Sequence, residues 1–189
     1  VRKSTFTQIS IEKIENIAGP QSGVESLIKT LPDVGSNNEL SSQYSVRGGS
    51  FDENLVYIND VEVYRPFLVR SGQQEGLSII NPDMVERVMF SPGGFEAKYG
   101  DKMSSVLDIT YRRPNKFSGK VSGSLLGGSA YVEGVVKEKM TYSIGLRRHS
   151  NQYLLKSLDT EGDYTTAYTD LQSIITYKVN TKLDISFVG

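Results

Sequence analysis

The chain has 189 residues, 38% of them apolar and 23% charged, and its 21 basic and 22 acidic side chains leave a formal charge of -1. That balance argues against nucleic acid as a main partner, because phosphate binding is driven by surplus Lys and Arg. The absence of cysteine excludes disulfides, thiolate zinc sites and thiol catalysis.

No stretch approaches the roughly 20 consecutive apolar residues that a helix needs to cross hydrocarbon. No signal peptide is visible. The start on Val1 rather than Met suggests a piece of something larger.

Taken in chain order, Thr5 to Ile9 alternates apolar and polar and predicts a short strand. Ile11, Ile14 and Ile17 follow at helical spacing up to Gly19-Pro20. Ser22 opens a better helix, with Val24, Leu27, Ile28 and Leu31 on one face and Ser22 and Glu25 at capping-box spacing. Pro32 ends it, and residues 34–42 are polar and loop-like. From Gln43 the pattern turns to strands, with Tyr44 and Val46 alternating up to Gly48-Gly49. Leu55–Ile58 and Val61–Tyr64 flank Asn59-Asp60. Both turn residues tolerate positive φ, so this reads as a tight hairpin. A loop over residues 65–76 comes next. Asn81-Pro82-Asp83 is a helix start, with Asn as N-cap and Pro at the first helical position. Arg87–Phe90 and Ser105–Tyr111 read as strands on either side of the Ser91–Gly94 turn.

Arg113-Pro114-Asn115 marks a boundary. Beyond it, Lys120–Leu126, Ala130–Val136, Thr141–Arg148, Asp170–Val179 and Lys182–Val188 read as strands. Tyr142, Ile144 and Leu146 alternate with Ser143, Gly145 and Arg147. Leu183, Ile185 and Phe187 alternate with Asp184, Ser186 and Val188. Short turns fall at Lys137–Lys139 and Asn180-Thr181. Residues 150–167 form a longer link, with a helical turn at Tyr153, Leu154 and Leu158 and an exposed tip from Asp159 to Asp163. Strands of this kind suit a transmembrane barrel. Pattern alone favours the plainer reading, an ordinary antiparallel sheet with one wet face.

Little here speaks for chemistry. The single histidine, His149, has no carboxylate or serine at diagnostic spacing and reads as a solvated loop residue. Asp159, Glu161 and Asp163 lack the ligand pattern of a calcium loop. Arg47-Gly48-Gly49 is one copy without aromatic repeats, too little for an RNA-binding segment. Neither glycine pair sits in a phosphate-loop context. With no nucleophile elbow and no acid/base pair of carboxylates, we expect no enzyme, no cofactor and no metal site.

The segment Val46–Pro114 carries a resemblance. It runs Val46-Arg47-Gly48-Gly49-Ser50-Phe51-Asp52-Glu53-Asn54, then the hairpin, then Asn81-Pro82-Asp83-Met84-Val85-Glu86-Arg87-Val88, Ala97-Lys98-Tyr99-Gly100 and Val106-Leu107-Asp108-Ile109. In order and spacing it resembles the plug domain of TonB-dependent receptors. There, a "(V/I)RG" strand, a "(V/I)DG" hairpin, a "VERVEV" element, an "A-x-YG" turn and a closing strand follow one another. Three departures stand out. Asn59-Asp60 replaces Asp-Gly. Pro92 occupies a position that is often Arg. No TonB box is recognisable before Val1-Arg2-Lys3.

The resemblance implies an α+β plug domain over residues 1–114, with a small mixed sheet and short helices. Residues 115–189 would then be about five antiparallel strands of an incomplete transmembrane β-barrel. A 22-stranded barrel needs roughly 220 residues in strands alone, so this stretch is a fragment of one. The implied function is energised uptake of a ligand, such as a glycan, peptide or siderophore, through the outer membrane. Implied partners are TonB, the ligand, the rest of the barrel and a surface lipoprotein. Two open sheet edges also suggest self-association of this stretch. Arg47 would pair with barrel-wall carboxylates, or with a local group where these are missing. Phe51 and Asp52 in one loop, and Tyr64, Arg65, Phe67, Arg70 and Gln73 in another, would face the ligand. The residues by themselves leave a second reading open, a secreted or periplasmic β-rich binding module without a transport role.

Overall fold

A computed structural model of the chain describes residues 6–11, 23–36, 41–67, 78–100, 102–150 and 167–189. It divides into two compact units, Val1–Tyr111 and Arg112–Gly189.

The first unit begins with β1 (Thr7–Ile9), helix α1 (Val24–Ile28), β2 (Val34–Gly35) and β3 (Ser45–Val46). It continues with β4 (Asn54–Ile58), β5 (Val61–Glu62), β6 (Val85–Ser91) and β7 (Ser105–Tyr111). One sheet has the order β1-β6-β7-β4-β5; β4 and β7 run parallel and the other pairs antiparallel. Strand β7 is central, and Ser105, Val106, Leu107, Ile109 and Tyr111 are buried in it. Val88 and Phe90 of β6, Leu55 and Val56 of β4, and Val24 and Ile28 of α1 complete the core. Fully burying each large aliphatic or aromatic side chain contributes about 1.5–3 kcal/mol.

Local chemistry sets the corners. Asn59 and Asp60 take φ of 51° and 64°, the pair of left-handed residues a two-residue hairpin requires. Asn59 Oδ1 also accepts the Tyr111 N–H at 2.8 Å, which ties the turn to β7. Asn81 caps a single 3-10 turn, Pro82–Met84, by accepting the Asp83 N–H at 3.1 Å.

Several expectations need correction. Helix α1 starts one residue later than expected, with Gly23 as N-cap and no side-chain cap, and Glu25 accepts from the Ser78 hydroxyl. The polar stretch after Pro32 contains β2, which pairs with β3. Asp33 and Arg47 flank that pairing with positive φ. The second hairpin strand stops at Glu62, and Tyr64 is exposed. The helical spacing of Ile11, Ile14 and Ile17, the Ser22 cap and the 151–166 link lie outside the described residues.

The second unit is a five-stranded antiparallel sheet in sequential order: β8 (Ser118–Ser124), β9 (Gly127–Val136), β10 (Met140–Ser150), β11 (Ala167–Asn180) and β12 (Leu183–Val188). Strand β8 starts two residues before its predicted start and ends at Ser124, because Leu125-Leu126 forms the turn. The β9–β10 turn at Lys137–Lys139 carries two more left-handed residues, Lys137 and Glu138.

Register sorts the side chains of this sheet by face. Cross-strand neighbours Val132, Ile144 and Ser173 lie on one face, with Leu146, Leu171, Ile175, Tyr177, Ile185 and Phe187. Of these, Leu171, Tyr177, Ile185 and Phe187 are well exposed. The Tyr142 ring covers Gly134 so closely that an added Cβ would meet its hydroxyl at 2.5 Å. The opposite face carries Ser129, Tyr131, Glu133, Ser143, Arg147, Asp170, Gln172 and Ser186. The mixed sheet followed by antiparallel strands is the predicted fold class. No helix among the described residues is long and apolar enough to cross a membrane, which leaves strand crossing open.

Candidate functional site

The first unit holds a cavity of about 550 Å³ at the end of the sheet where β4 and β7 begin. Its walls are built from three places in the sequence. The first is the 3-10 turn Phe51–Glu53, which leads into β4. The second is the segment after β5, where Tyr64, Arg65 and Phe67 line the space with Glu62. The third is Lys102, just before β7.

The 3-10 turn is held by specific bonds. Lys102 Nζ donates to the Asp52 carbonyl at 2.6 Å, and Ser104 Oγ to Glu53 Oε2 at 2.7 Å. Gly49 must be glycine, since an added Cβ would come within 1.8 Å of Ser104 Oγ. A Ser50 hydroxyl bond, with help from its own backbone, holds the Asp52 carboxyl below the usual carboxylate range. Phe51 and Phe67 meet edge to face with centroids 6.4 Å apart, a favoured aromatic geometry.

The deep end of the cavity is polar. Glu25 and Tyr44 both line it, and both are buried. Asn54 fixes the Tyr44 backbone by donating to its carbonyl at 2.8 Å, and it accepts from Ser105 Oγ at 2.7 Å. The Tyr44 hydroxyl is buried and makes no hydrogen bond of ordinary geometry. Ser105 Oγ lies beside it, and having given its own proton to Asn54 it keeps lone pairs to accept the phenol's. Burial, and then the Glu25 charge, push the Tyr44 phenol far above its ordinary value, so it stays a neutral donor.

Of the residues predicted to face a ligand, Phe51, Asp52, Tyr64, Arg65 and Phe67 come together on this one cavity. Arg70 and Gln73 lie outside the described residues. Arg47 lies apart from it. It has φ of 51° and pairs with Asp33, Nη2 to Oδ2, at 3.1 Å. Its guanidinium also passes over Gly93, where an added Cβ would sit 3.2 Å from Nη1. Sequence reasoning missed Glu25, Tyr44, Glu62 and Lys102, while Asn54 closes the 50–54 loop expected to face the ligand. No local signal marks them, because long-range packing brings them to the cavity.

Elsewhere in the unit, Tyr99 donates to Asp108 Oδ2 at 2.5 Å and packs on Tyr57 and Phe6. Burial and this bond raise its phenol. Lys98 lies 3.8 Å from Asp108 and 3.6 Å from Asp60. In the second unit, Arg147 Nε meets Asp170 Oδ2 at 2.8 Å, with both side chains largely buried. His149 is not in a loop: it lies within β10, with its ring 5.7 Å from that of Tyr168. Among the described residues no group of three or more His, Asp or Glu could hold a metal ion.

The family model described as TonB-dependent Receptor Plug Domain matches residues 2–106. Solved structures with a similar fold include the siderophore receptor PirA from Pseudomonas aeruginosa, at 18% identity and TM-score 0.66, covering 100% of this chain and 33% of that one. The outer membrane transporter YddB from Escherichia coli is similar at 13% identity and TM-score 0.67, covering 97% and 32%. The Serratia marcescens hemophore receptor HasR, solved with its hemophore HasA and heme, is similar at 12% identity and TM-score 0.67, covering 98% and 31%. The chain thus spans about a third of the length of these structures. No curated protein sequence matches it.

Proposed function

This chain belongs to the TonB-dependent receptor plug domain family, and we propose that it is the plug and opening barrel strands of an outer-membrane receptor that gates energised uptake of a ligand into the periplasm. One observation carries the reading: five loop residues from two separate stretches converge on a single cavity in the plug unit. Pockets of this kind, mostly apolar with a few placed polar groups, are where proteins hold small ligands.

In the second unit the exposed apolar face would meet lipid and the polar face the lumen. The unpaired edges of β8 and β12 would be closed by the remaining strands of the same barrel. TonB would pull on the plug from the N-terminal side, Arg47 would exchange Asp33 for barrel-wall carboxylates, and a surface lipoprotein would cover the ligand.

Deletion of the gene, followed by growth on a panel of glycans, peptides and iron chelates, tests the role. One nutrient should cease to support growth, and Phe51→Ala with Tyr64→Ala should reproduce the defect with normal receptor levels in the outer membrane. Unimpaired growth on every nutrient, with the protein found in a soluble fraction, would instead favour the β-rich binding module.

A further inference from the structure

The two ends of the second unit's sheet differ in charge. One end is where β8 starts, β9 turns into β10 and β11 turns into β12. Exposed cations gather there. Arg113 and Lys116 lead into β8, Lys137 and Lys139 belong to the β9–β10 turn, and Lys182 belongs to the β11–β12 turn. Between Asp108 and Glu133 the sequence holds no acidic residue. The acids at this end are few. Glu133 accepts from the Tyr131 hydroxyl at 2.6 Å on the polar face, Asp184 lies opposite Lys178, and Glu138 sits in the β9–β10 turn. The whole chain has a formal charge of -1, so the local excess is segregation of charge along the sheet. At the other end, among the described residues, Leu125-Leu126 is an uncharged turn, Arg147 is bound to Asp170, and Arg148 is the one exposed cation.

The basic end also closes the exposed apolar face. Met140 pairs with Val136 and Tyr177, and Tyr177 with Ile185. Lys137 directly follows Val136, Lys139 directly precedes Met140, and Lys182 directly precedes β12. Phe117, Tyr177 and Ile185 are 73%, 48% and 58% exposed at this end. An apolar face bordered by aromatic rings and cations has the composition of a surface at the boundary between hydrocarbon and headgroups. Lysine suits that boundary, because its stem lies along apolar surface while its ammonium reaches outward. Charge then selects among lipids. A zwitterionic headgroup brings an ammonium of its own to the cluster, whereas an anionic one brings phosphate without it.

We propose that this end of the sheet docks on anionic phospholipid headgroups, with Lys116, Lys137, Lys139 and Lys182 set against phosphates and with Phe117 and Tyr177 in the boundary layer. The proposal rests on the reading above that the apolar face meets lipid. It adds which lipid borders that face and along which edge.

The test reads lipid at one position. Ile185→Cys, labelled with a bimane fluorophore, is placed in the full receptor and reconstituted into phosphatidylcholine vesicles. Brominated phosphatidylglycerol or brominated phosphatidylcholine is then mixed in as the quencher. At low salt, phosphatidylglycerol is expected to quench at an about fivefold lower share of the lipid, the advantage that one nearby cation confers. About 1 M salt should remove most of that advantage. Replacing Lys137→Gln, Lys139→Gln and Lys182→Gln together should abolish it, and the same three positions changed to Arg should keep it. Thermal melting checks that each variant is folded. Equal quenching by the two lipids in the unmodified cluster, or an advantage that survives the three Gln changes, overturns the proposal while the apolar face still meets lipid. No quenching by either lipid overturns that reading and the proposal with it.

Discussion

The two units use the same two-residue strand period to opposite ends. In β7 nearly every side chain is buried, whichever way it points, because the strand is central in a covered sheet. In β11 and β12 the period separates two unlike faces, and the apolar one is exposed, with Leu171, Ile185 and Phe187 each more than half accessible. A water-facing sheet does the reverse and hides its apolar side. An exposed apolar sheet face is what the proposed barrel wall would present to lipid, and alternation alone does not distinguish such a wall from a covered core.

Five tests would break or sharpen the contrast. The largest effect is expected at the buried Arg147–Asp170 pair on the polar face. Asp170→Ala leaves a buried guanidinium without its partner and should cost about 3–5 kcal/mol, measured by reversible unfolding in bilayers. In the plug core, Leu107→Ala should cost about 2–5 kcal/mol by denaturant titration. Leu171→Arg on the apolar face should cost about 2–4 kcal/mol in lipid, whereas Gln172→Arg, one residue along on the polar face, should cost far less.

The next effect depends on pH. The unfolded Tyr44 phenol loses its proton near its ordinary value of about 10, while the folded one keeps it. The native state then binds more protons, so stability falls as pH rises above 10, by at most about 1.4 kcal/mol per unit. Tyr44→Phe should remove that part of the slope, as read from melting curves between pH 9 and 11. Tyr99, raised in the same sense, would retain its own smaller share. The smallest effect belongs to the half-exposed Arg47–Asp33 pair. Arg47→Ala should change plug stability by no more than about 1 kcal/mol, so any larger defect in uptake would point to a role outside this unit.

What the sequence revealed was local. Asn59-Asp60 and Asn81-Pro82 specify their turns by backbone chemistry, and both turns form as read. The ordered motifs from Val46 onward identified the plug without any contact being known. The edges of elements were less legible. Leu125 and Leu126 look like the end of a strand, yet they form a turn, because the register of β8 is set by its pairing with β9. Strand β2 is two residues long and exists only through its partner β3.

The buried part of the candidate site was illegible for a similar reason. Glu25 has the spacing of a cap residue, and nothing near it in sequence announces Ser78, which lies 53 residues away. Tyr44 reads as one more strand residue until Asn54 and Ser105 are seen to frame it. The exposed rim, by contrast, was legible, because loop aromatics such as Phe51 and Tyr64 sit within recognisable motifs.

Site-directed spin labelling tests the central contrast most directly, and the lack of native cysteine makes it clean. Single cysteines at Leu171 and Ile185 on the apolar face, and at Gln172 and Ser186 on the polar face, would be labelled in the receptor reconstituted into bilayers. The account predicts that labels at positions 171 and 185 collide with oxygen dissolved in lipid and are shielded from a water-soluble nickel chelate, with the reverse at 172 and 186. Equal access of the nickel chelate to all four positions would contradict it.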